Sequence, residues 1–203
     1  IGASAGGVQA LREIAGGLPA GFPAAVLVVL HIGARTSTLP EVLSAVGPNP
    51  ARHGVHGEVL EAGRLYVAPP DHHMMLHRGA IVLTRGPKEH HTRPAVDPLV
   101  RSAAHSAGAA VIGVVLSGRE HEGTAGRQAI KACGGTTVVQ DPDDAEEPSM
   151  PASAAANVDV DHCVPLSEIP ALLERLVQRA APVAPAPAAR ELVHEMAAST
   201  NMG

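Results

Sequence analysis

Short apolar runs rich in β-branched residues alternate along the chain with Ala-rich segments predicted to be helical. Each apolar run is bounded by turn residues, as expected for strands buried on both faces of a sheet. The runs cover residues 24–30, 110–116 and 136–140, and the helical segments cover residues 7–15, 39–45, 98–107 and 124–132. Strands that alternate with helices predict parallel βαβ units with helices on both sheet faces. The predicted fold class is therefore α/β, a three-layer α/β/α domain on a mostly parallel, doubly wound sheet.

Residues 64–84 interrupt this alternation. Three short apolar runs, at 64–68, 73–77 and 80–84, are separated by Pro69-Pro70-Asp71 and by Arg78-Gly79. Closely spaced runs with turn residues between them predict a small antiparallel β excursion. Much later in the chain, residues 166–179 have apolar positions at helical spacing and are predicted to close the domain as an amphipathic helix.

The chain has 203 residues, which suits one domain with a tail better than two domains of ordinary size. Residues 181–189 consist only of Ala, Pro and Val, a composition typical of a semi-rigid, extended linker. We therefore predict a domain over residues 1–180, followed by a linker and short C-terminal tail over residues 181–203. Because the sequence starts without Met, directly at a Gly-rich loop, we expect it to be a piece of a longer protein.

The amino-acid composition argues against several classes of binding partner. The net charge is −5, and the chain has one Phe, one Tyr and no Trp, which argues against nucleic acid. No apolar run approaches the roughly 20 residues of a membrane-spanning helix, so no membrane insertion is expected. Cys133 and Cys163 form no CxxC pair and are expected to be free thiols, which favours a cytoplasmic location.

The Gly-rich segment Gly2-Ala3-Ser4-Ala5-Gly6-Gly7 follows a predicted strand end and opens a helix. Such a turn can bind phosphate through backbone N–H groups, or it can hold a nucleophilic Ser where those groups stabilise an oxyanion. The phosphate motifs GxGxxG and GxxxxGK[ST] are both absent. The segment therefore favours Ser4 as a nucleophile.

A nucleophilic Ser needs a base and an acid that orients the base. His31 ends the apolar run 24–30, so a parallel sheet would bring it to the same edge as Ser4, where ligands bind in open α/β sheets. Glu120 and Glu122 follow the run 110–116 in a second Gly-rich loop and are candidate acids. The alternatives are a strand-end His bonded to the backbone and a solvated acidic turn. The order Ser, His, acid differs from that of α/β-hydrolases, although the segment at residues 2–6 matches GxSxG.

Several other groups of polar residues are candidate binding sites. The histidine pairs at 72–73 and 90–91, and His121 with its flanking glutamates, lack HExxH or HxH spacing, so no metal site is predicted. The acidic run 141–147 lacks the Gly turn and distal Glu of an EF-hand and is predicted to be a solvated loop over the active site. Arg93 is either a substrate contact in the cleft or half of a surface ion pair with Asp97.

Taken together, these segments resemble the catalytic domain of the chemotaxis protein-glutamate methylesterases (CheB), over about residues 1–180 in uninterrupted order. The matching segments are Gly2-Ala-Ser-Ala-Gly-Gly7 with GxSxGG; His31-Ile32 with the base; Tyr66-Val-Ala-Pro-Pro-Asp-His-His-Met74 with Tyr-Ile-Ala-Pro-Gly-Asp-x-His-Met; Arg93-Pro-Ala-Val-Asp97 with Arg-Pro-Ser-Val-Asp; and Gly113-Val-Val-Leu-Ser-Gly118 with Gly-Val-Ile-Leu-Thr-Gly.

The resemblance implies a serine hydrolase of chemotaxis signalling that demethylates glutamyl methyl esters on chemoreceptors and deamidates certain glutamines. The resemblance implies that Ser4, His31 and Glu122 are the catalytic residues and that the reaction needs no cofactor. Backbone N–H groups near Ala5 and Arg119 would hold the oxyanion, in a substrate region that includes Gly6, Arg93 and Glu120. A family methylesterase usually carries a receiver domain before the catalytic domain, and this chain has none.

Four positions differ from the family's acid-loop pattern Gly-Met-Gly-x-Asp-Gly and from its nucleophile loop. Glu122 stands in place of the family's Asp, Arg119 and Glu120 replace the loop's Met and inner Gly, and Ala5 replaces the usual Thr. These differences keep open a second hypothesis, a binding module that retains the fold and docks a signalling partner without hydrolysis.

Overall fold

A sheet of seven parallel strands forms the centre of the domain. The computed structural model describes residues 1–31, 36–119, 124–157 and 159–179. From one edge of the sheet to the other the strands are β3 (Ala51–His53), β4 (Leu65–Val67), β2 (Val26–Leu30), β1 (Gly2–Ala3), β7 (Ile112–Val115), β8 (Thr136–Gln140) and β9 (His162–Val164). All neighbouring pairs are parallel. Strands β5 (His73–His77) and β6 (Ala80–Thr84) form a separate antiparallel hairpin.

Six α-helices among the described residues accompany the sheet. They are α1 (Gly7–Gly17), α2 (Leu39–Val46), α3 (Val96–Ala107), α4 (Thr124–Ala132), α5 (Ser149–Asn157) and α6 (Ile169–Arg179). Side chains alternate between the two faces of a strand. Accordingly, Val28 packs in a core cluster with α1, α2 and α6, whereas Val29 packs in a second cluster with α3 and the hairpin. None of these helices combines the length and the apolar character needed to cross a membrane.

The predicted α/β/α fold class is confirmed by this topology. Each of the three strand runs and four helical segments corresponds to an observed element, and the hairpin of residues 73–77 and 80–84 has the predicted bounds. The closing helix begins at Ile169, after a 3-10 turn over Leu166–Glu168. The predicted linker and tail, 181–203, lie outside the described residues.

One assignment was wrong. The sequence pattern predicts residues 64–68 as part of the antiparallel excursion, but Leu65–Val67 form β4 of the main sheet, between β2 and β3 and parallel to both. All three residues of β4 are buried. The error arose because β4 directly precedes the hairpin in sequence, while its partners β2 and β3 are separated from it by longer connections.

The strand order determines where the chain can place chemistry. Strand β1 lies between β2 and β7, with Ala3 opposite Leu30 on one side and Gly2 opposite Val115 on the other. Because the three strands are parallel, the segments that follow Ala3, Leu30 and Val115 all leave the same edge of the sheet. Parallel sheets bind ligands at this carboxyl edge.

A cavity of about 530 Å³ lies at the opposite edge. The starts of β2 and β7 line it together with Ile1, Phe22, Leu99 and Val177, and Ser106 is the only polar side chain among its described lining residues. A ligand pocket for chemistry needs convergent polar groups. Because the cavity lies at the opposite edge of the sheet and its described lining contains one polar side chain, it is separate from the candidate site.

Asp97 connects helices α3 and α4. Its side chain is buried, and Oδ1 accepts a hydrogen bond from the Gly126 N–H at 2.8 Å. His90 Nε2 lies 3.5 Å from Oδ2. Gly126 belongs to the first turn of α4, where free N–H groups favour a negative charge. The carboxylate thereby fixes the start of α4 against α3.

We expect Asp97→Ala to lower the free energy of unfolding by about 1–3 kcal/mol, because the substitution leaves the buried Gly126 N–H without its acceptor. Asp97→Asn retains an oxygen acceptor and should lose less. Urea denaturation of the three proteins measures the difference, and an Ala variant as stable as the original chain would contradict the assigned role.

Candidate active site

Ser4 lies in a tight turn between β1 and α1. Its N–H donates to the Ser117 carbonyl at 3.0 Å, and its own carbonyl accepts from the Gly7 N–H at 2.9 Å. Gly6, immediately before the helix, has a φ of 73°. A side chain there would be strained, and its Cβ would lie 2.7 Å from Ser117 Oγ. Glycine is therefore required for the turn that carries Ser4 to the start of α1.

His31 follows β2, next to Ser4. Its N–H donates to the Ala3 carbonyl at 3.3 Å, which continues the β1–β2 pairing by one residue. The backbones of neighbouring strands lie about 4.8 Å apart. The register therefore brings the Ser4 and His31 backbones together at the carboxyl edge, and the His31 side chain is half-buried there.

The segment after β7 packs directly against Ser4. A Cβ atom on Gly118 would lie 2.9 Å from Ser4 Cβ, so only glycine permits this approach. Gly118 also donates from its N–H to the Glu147 carbonyl at 2.9 Å, and its carbonyl accepts from the Met150 N–H at 2.8 Å. The segment that leads to Arg119 is thus held between the loop that carries Ser4 and the start of α5.

Ser117 joins these loops through a buried hydroxyl. Ser117 Oγ donates to the Ala5 carbonyl at 2.8 Å and accepts from the Glu147 N–H at 2.9 Å. The Ser117 N–H donates to Gln140 Oε1 at 3.0 Å. Sequence reasoning missed Ser117, Gln140 and Glu147. The available signal was position, because Ser117 and Gln140 are polar residues at the ends of two apolar strand runs.

Arg119 forms an ion pair at the rim. Its Nε donates to Glu147 Oε1 at 2.7 Å, and Nη2 contacts the same oxygen. The hydrogen bond from Arg119 lowers the pKa of Glu147, and the positive charge of Arg119 acts in the same direction. The end of the acidic run 141–147 also lies beside the loop that carries Ser4. A Cβ atom on Gly6 would be 2.9 Å from Glu146 Oε2.

Arg93 holds together the segments that follow β4 and β6. Its Nε and Nη2 donate to Asp71 Oδ1 at 2.9 and 2.6 Å, and Nη1 donates to the carbonyls of Arg85 and Gly86 at 3.0 and 2.8 Å. The hydrogen bond from Arg93 lowers the pKa of Asp71. The alternative of an ion pair between Arg93 and Asp97 was wrong, because Asp71 is the partner. A substrate contact by Arg93 stays a prediction.

Two of the predicted site residues, Glu120 and Glu122, lie outside the described residues. Ser4, Ala5, Gly6, His31 and Arg119 leave the same edge of the sheet, on the three adjacent strands β2, β1 and β7.

The histidine pair at 72–73 has backbone partners. His73 is buried, with Nε2 2.9 Å from the Pro87 carbonyl and Nδ1 accepting from the Ala95 N–H at 3.3 Å, and His72 Nδ1 lies 2.8 Å from the Pro70 carbonyl. Within the described ranges, no three His, Cys, Asp or Glu side chains are grouped so that they could hold a metal ion.

We expect Arg119→Met to return the pKa of Glu147 towards the ordinary glutamate value, because the variant removes the hydrogen bond and charge that lower it. A lowered carboxyl pKa in the folded state stabilises the fold above the unfolded pKa, and this contribution disappears as the pH falls through the folded pKa. NMR titration of the Glu147 carboxyl measures the change. The Asp71 carboxyl, lowered by Arg93 instead, is the control and should not move; an unchanged Glu147 titration would contradict the assignment.

Comparison with known proteins identifies the family and a similar fold. The family model described as CheB methylesterase matches residues 1–173. The crystal structure of the Thermotoga maritima CheB methylesterase catalytic domain superimposes with a TM-score of 0.83 at 31% identity, covering 87% of this chain and 96% of that one.

Curated relatives have matching names. "Protein-glutamate methylesterase/protein-glutamine glutaminase 2" from Anaeromyxobacter dehalogenans is 37% identical over 88% of this chain and 52% of the relative. A protein named in the same way from Pyrococcus abyssi is 37% identical over 88% of the chain and 50% of its own length. The chain thus spans about half the length of these relatives, but 93% of a putative one from Leptospira interrogans that is 34% identical. The chain belongs to the CheB methylesterase family.

Proposed function

We propose that this chain is a serine hydrolase that cleaves glutamyl methyl esters of a protein, with Ser4 as nucleophile, His31 as base and Glu122 as the acid that orients the base. The observation that carries the proposal is the convergence of three adjacent strand ends. Ser4 and His31 lie one residue beyond paired positions of β1 and β2, and the segment leading to Arg119 contacts Ser4 from the other side. A nucleophile, a base and oxyanion donors need such an arrangement.

The first half of the reaction forms an acyl-enzyme. Ser4 Oγ attacks the carbonyl carbon of the ester while His31 accepts the hydroxyl proton, and the resulting oxyanion accepts hydrogen bonds from backbone N–H groups near Ala5 and Arg119. Collapse of the tetrahedral intermediate breaks the bond to the methoxy oxygen. His31 returns the proton to that oxygen, and methanol leaves.

The second half regenerates the enzyme. Water attacks the Ser4 ester and gives a proton to His31, which then protonates Ser4 Oγ as it leaves. The products are a glutamate side chain and the free serine. With a glutamine side chain the same steps release ammonia instead of methanol, so deamidation needs no additional group. The double name of the relatives supports both reactions.

Membership of the family supports a proposal for the substrate and for the cellular setting. We infer a methyl-accepting chemoreceptor-like protein as substrate, in cytoplasmic chemotaxis-type signal transduction. The relatives from Anaeromyxobacter dehalogenans and Pyrococcus abyssi extend well beyond the matched region. A receiver domain or another regulatory module outside this chain is therefore proposed as the source of control.

We expect a fluorophosphonate probe to label the chain at Ser4, and the chain to release methanol from a peptide that contains a glutamate γ-methyl ester. Ser4→Ala should abolish labelling. His31→Ala should lower kcat by roughly 10³-fold or more, because the hydroxyl loses its base. Mass spectrometry of the labelled peptide and a methanol assay measure the two effects.

His77→Ala removes an exposed imidazole from the hairpin and serves as the matched control, with activity like that of the original chain. Hydrolysis would be refuted, and the binding module favoured, if the folded chain neither took the label nor released methanol.

Substituting each of the two candidate acids by glutamine, which removes its negative charge, shows which one orients His31. We expect Glu122→Gln to lower kcat by roughly 10²–10⁴-fold, since an amide cannot stabilise the imidazolium that forms on His31. Glu122→Asp restores the family's residue type and should retain most of the activity. Glu120→Gln should act mainly on KM, and a larger loss of kcat at Glu120 than at Glu122 would reverse the assignment. Steady-state kinetics with the ester peptide provide the measurement.

A further inference from the structure

Ser117 is a buried polar residue that the proposed reaction does not use. It is 1% exposed and lies two residues after the end of β7, next to the buried Leu116. Burial of a hydroxyl is costly unless it has hydrogen-bond partners. Ser117 Oγ has two close ones, the Ala5 carbonyl and the Glu147 N–H, which belong to loops far apart in the chain.

The contacts of Ser117 bracket the nucleophile. Its carbonyl accepts from the Ser4 N–H at 3.0 Å, and its hydroxyl donates to the Ala5 carbonyl at 2.8 Å. Between these two contacts lies the peptide group that joins Ser4 to Ala5. Because peptide groups are planar and trans, holding the backbone on both sides of this one restricts the direction of the Ala5 N–H. That N–H is one of the proposed oxyanion donors.

The same hydroxyl is tied to the second proposed donor. Ser117 is two residues before Arg119, and the intervening Gly118 is fixed by its N–H to the Glu147 carbonyl at 2.9 Å. The Glu147 N–H in turn donates to Ser117 Oγ at 2.9 Å. One hydroxyl therefore links the loop of the first donor with the segment that carries the second.

We propose that Ser117 is a positioning residue for ester hydrolysis: its hydroxyl holds the Ser4–Ala5 backbone against the segment after β7, so that the oxyanion donors keep a fixed separation. This inference rests on the proposed function. Ser117 acts through the backbone of Ser4 and Ala5. Loss of the Ser117 hydroxyl should therefore weaken stabilisation of the transition state more than binding of the substrate.

The test compares Ser117→Ala with Ser117→Thr, which keeps the hydroxyl, and with Ser102→Ala as a matched control. Ser102 Oγ also accepts from an N–H, that of Leu76 at 2.9 Å, and donates to a carbonyl, that of Leu99 at 2.9 Å. It lies between α3 and the hairpin, away from Ser4. The two Ala variants lose the same kind of hydroxyl bridge, one beside the site and one remote from it.

For Ser117→Ala we expect kcat on p-nitrophenyl acetate to fall roughly 10- to 100-fold with KM changed less than about threefold, because small misplacements of oxyanion donors act on the transition state. The rate constant of fluorophosphonate labelling at Ser4 should fall by a similar factor. Ser117→Thr should recover most of kcat. Ser102→Ala should leave kcat unchanged, even if its melting temperature falls as much as that of Ser117→Ala.

The inference is overturned if folded Ser117→Ala has an undiminished kcat, or if Ser102→Ala loses kcat to the same extent. Should Ser117→Ala fail to fold, Ser117→Cys replaces it, since the thiol fills the space with a much weaker donor and must show the same fall. Labelling of the unsubstituted chain separates the two proposals. No labelling there refutes the hydrolase itself, whereas normal labelling with unchanged Ser117 variants refutes only the role of Ser117.

Discussion

The parallel pairing of β1 with β2 on one side and β7 on the other is the constraint on which the candidate site depends. It makes three chain segments leave the sheet side by side, although they begin at residues 4, 31 and 116 of the sequence. The space between them is so small that Gly118 has no room for a side chain beside Ser4. The site is therefore a product of strand order and of close backbone approach, and the helices on the two faces serve to keep those strands in place.

The parts of the fold that could be predicted from sequence are those with a local signal. Buried strands are short apolar runs, and the strand-end residues Ser4 and His31 follow from knowing that parallel strands share a carboxyl edge. The hairpin of β5 and β6 was equally accessible, because Arg78-Gly79 separates two apolar runs of equal length. Strand β4 was assigned to the wrong sheet because three apolar residues do not specify which neighbours they pair with.

The contacts that organise the site have no comparable signal. Ser117 meets Ala5 across 112 residues of sequence, and Arg93 meets Asp71 across 22. Nothing in the local pattern distinguishes Asp71 from Asp97 as the partner of Arg93. Asp97 instead accepts from the N–H of Gly126 in another helix. Such pairings are set by tertiary packing, and residues that are close in sequence carry no signal of it.

Among the described residues, most hydrogen bonds that hold the Ser4 loop and the segment after β7 use main-chain atoms on at least one side. They include the Ser4 N–H, the Ala5 carbonyl and both main-chain groups of Gly118. The side chains of Ala5, Arg119 and Glu147 take no part in these main-chain hydrogen bonds. Exchange of those side chains alters the charge and shape at this edge of the sheet while the main-chain scaffold persists. Members of the family can thus differ in the surface around this edge of the sheet while the backbone that supports it stays the same.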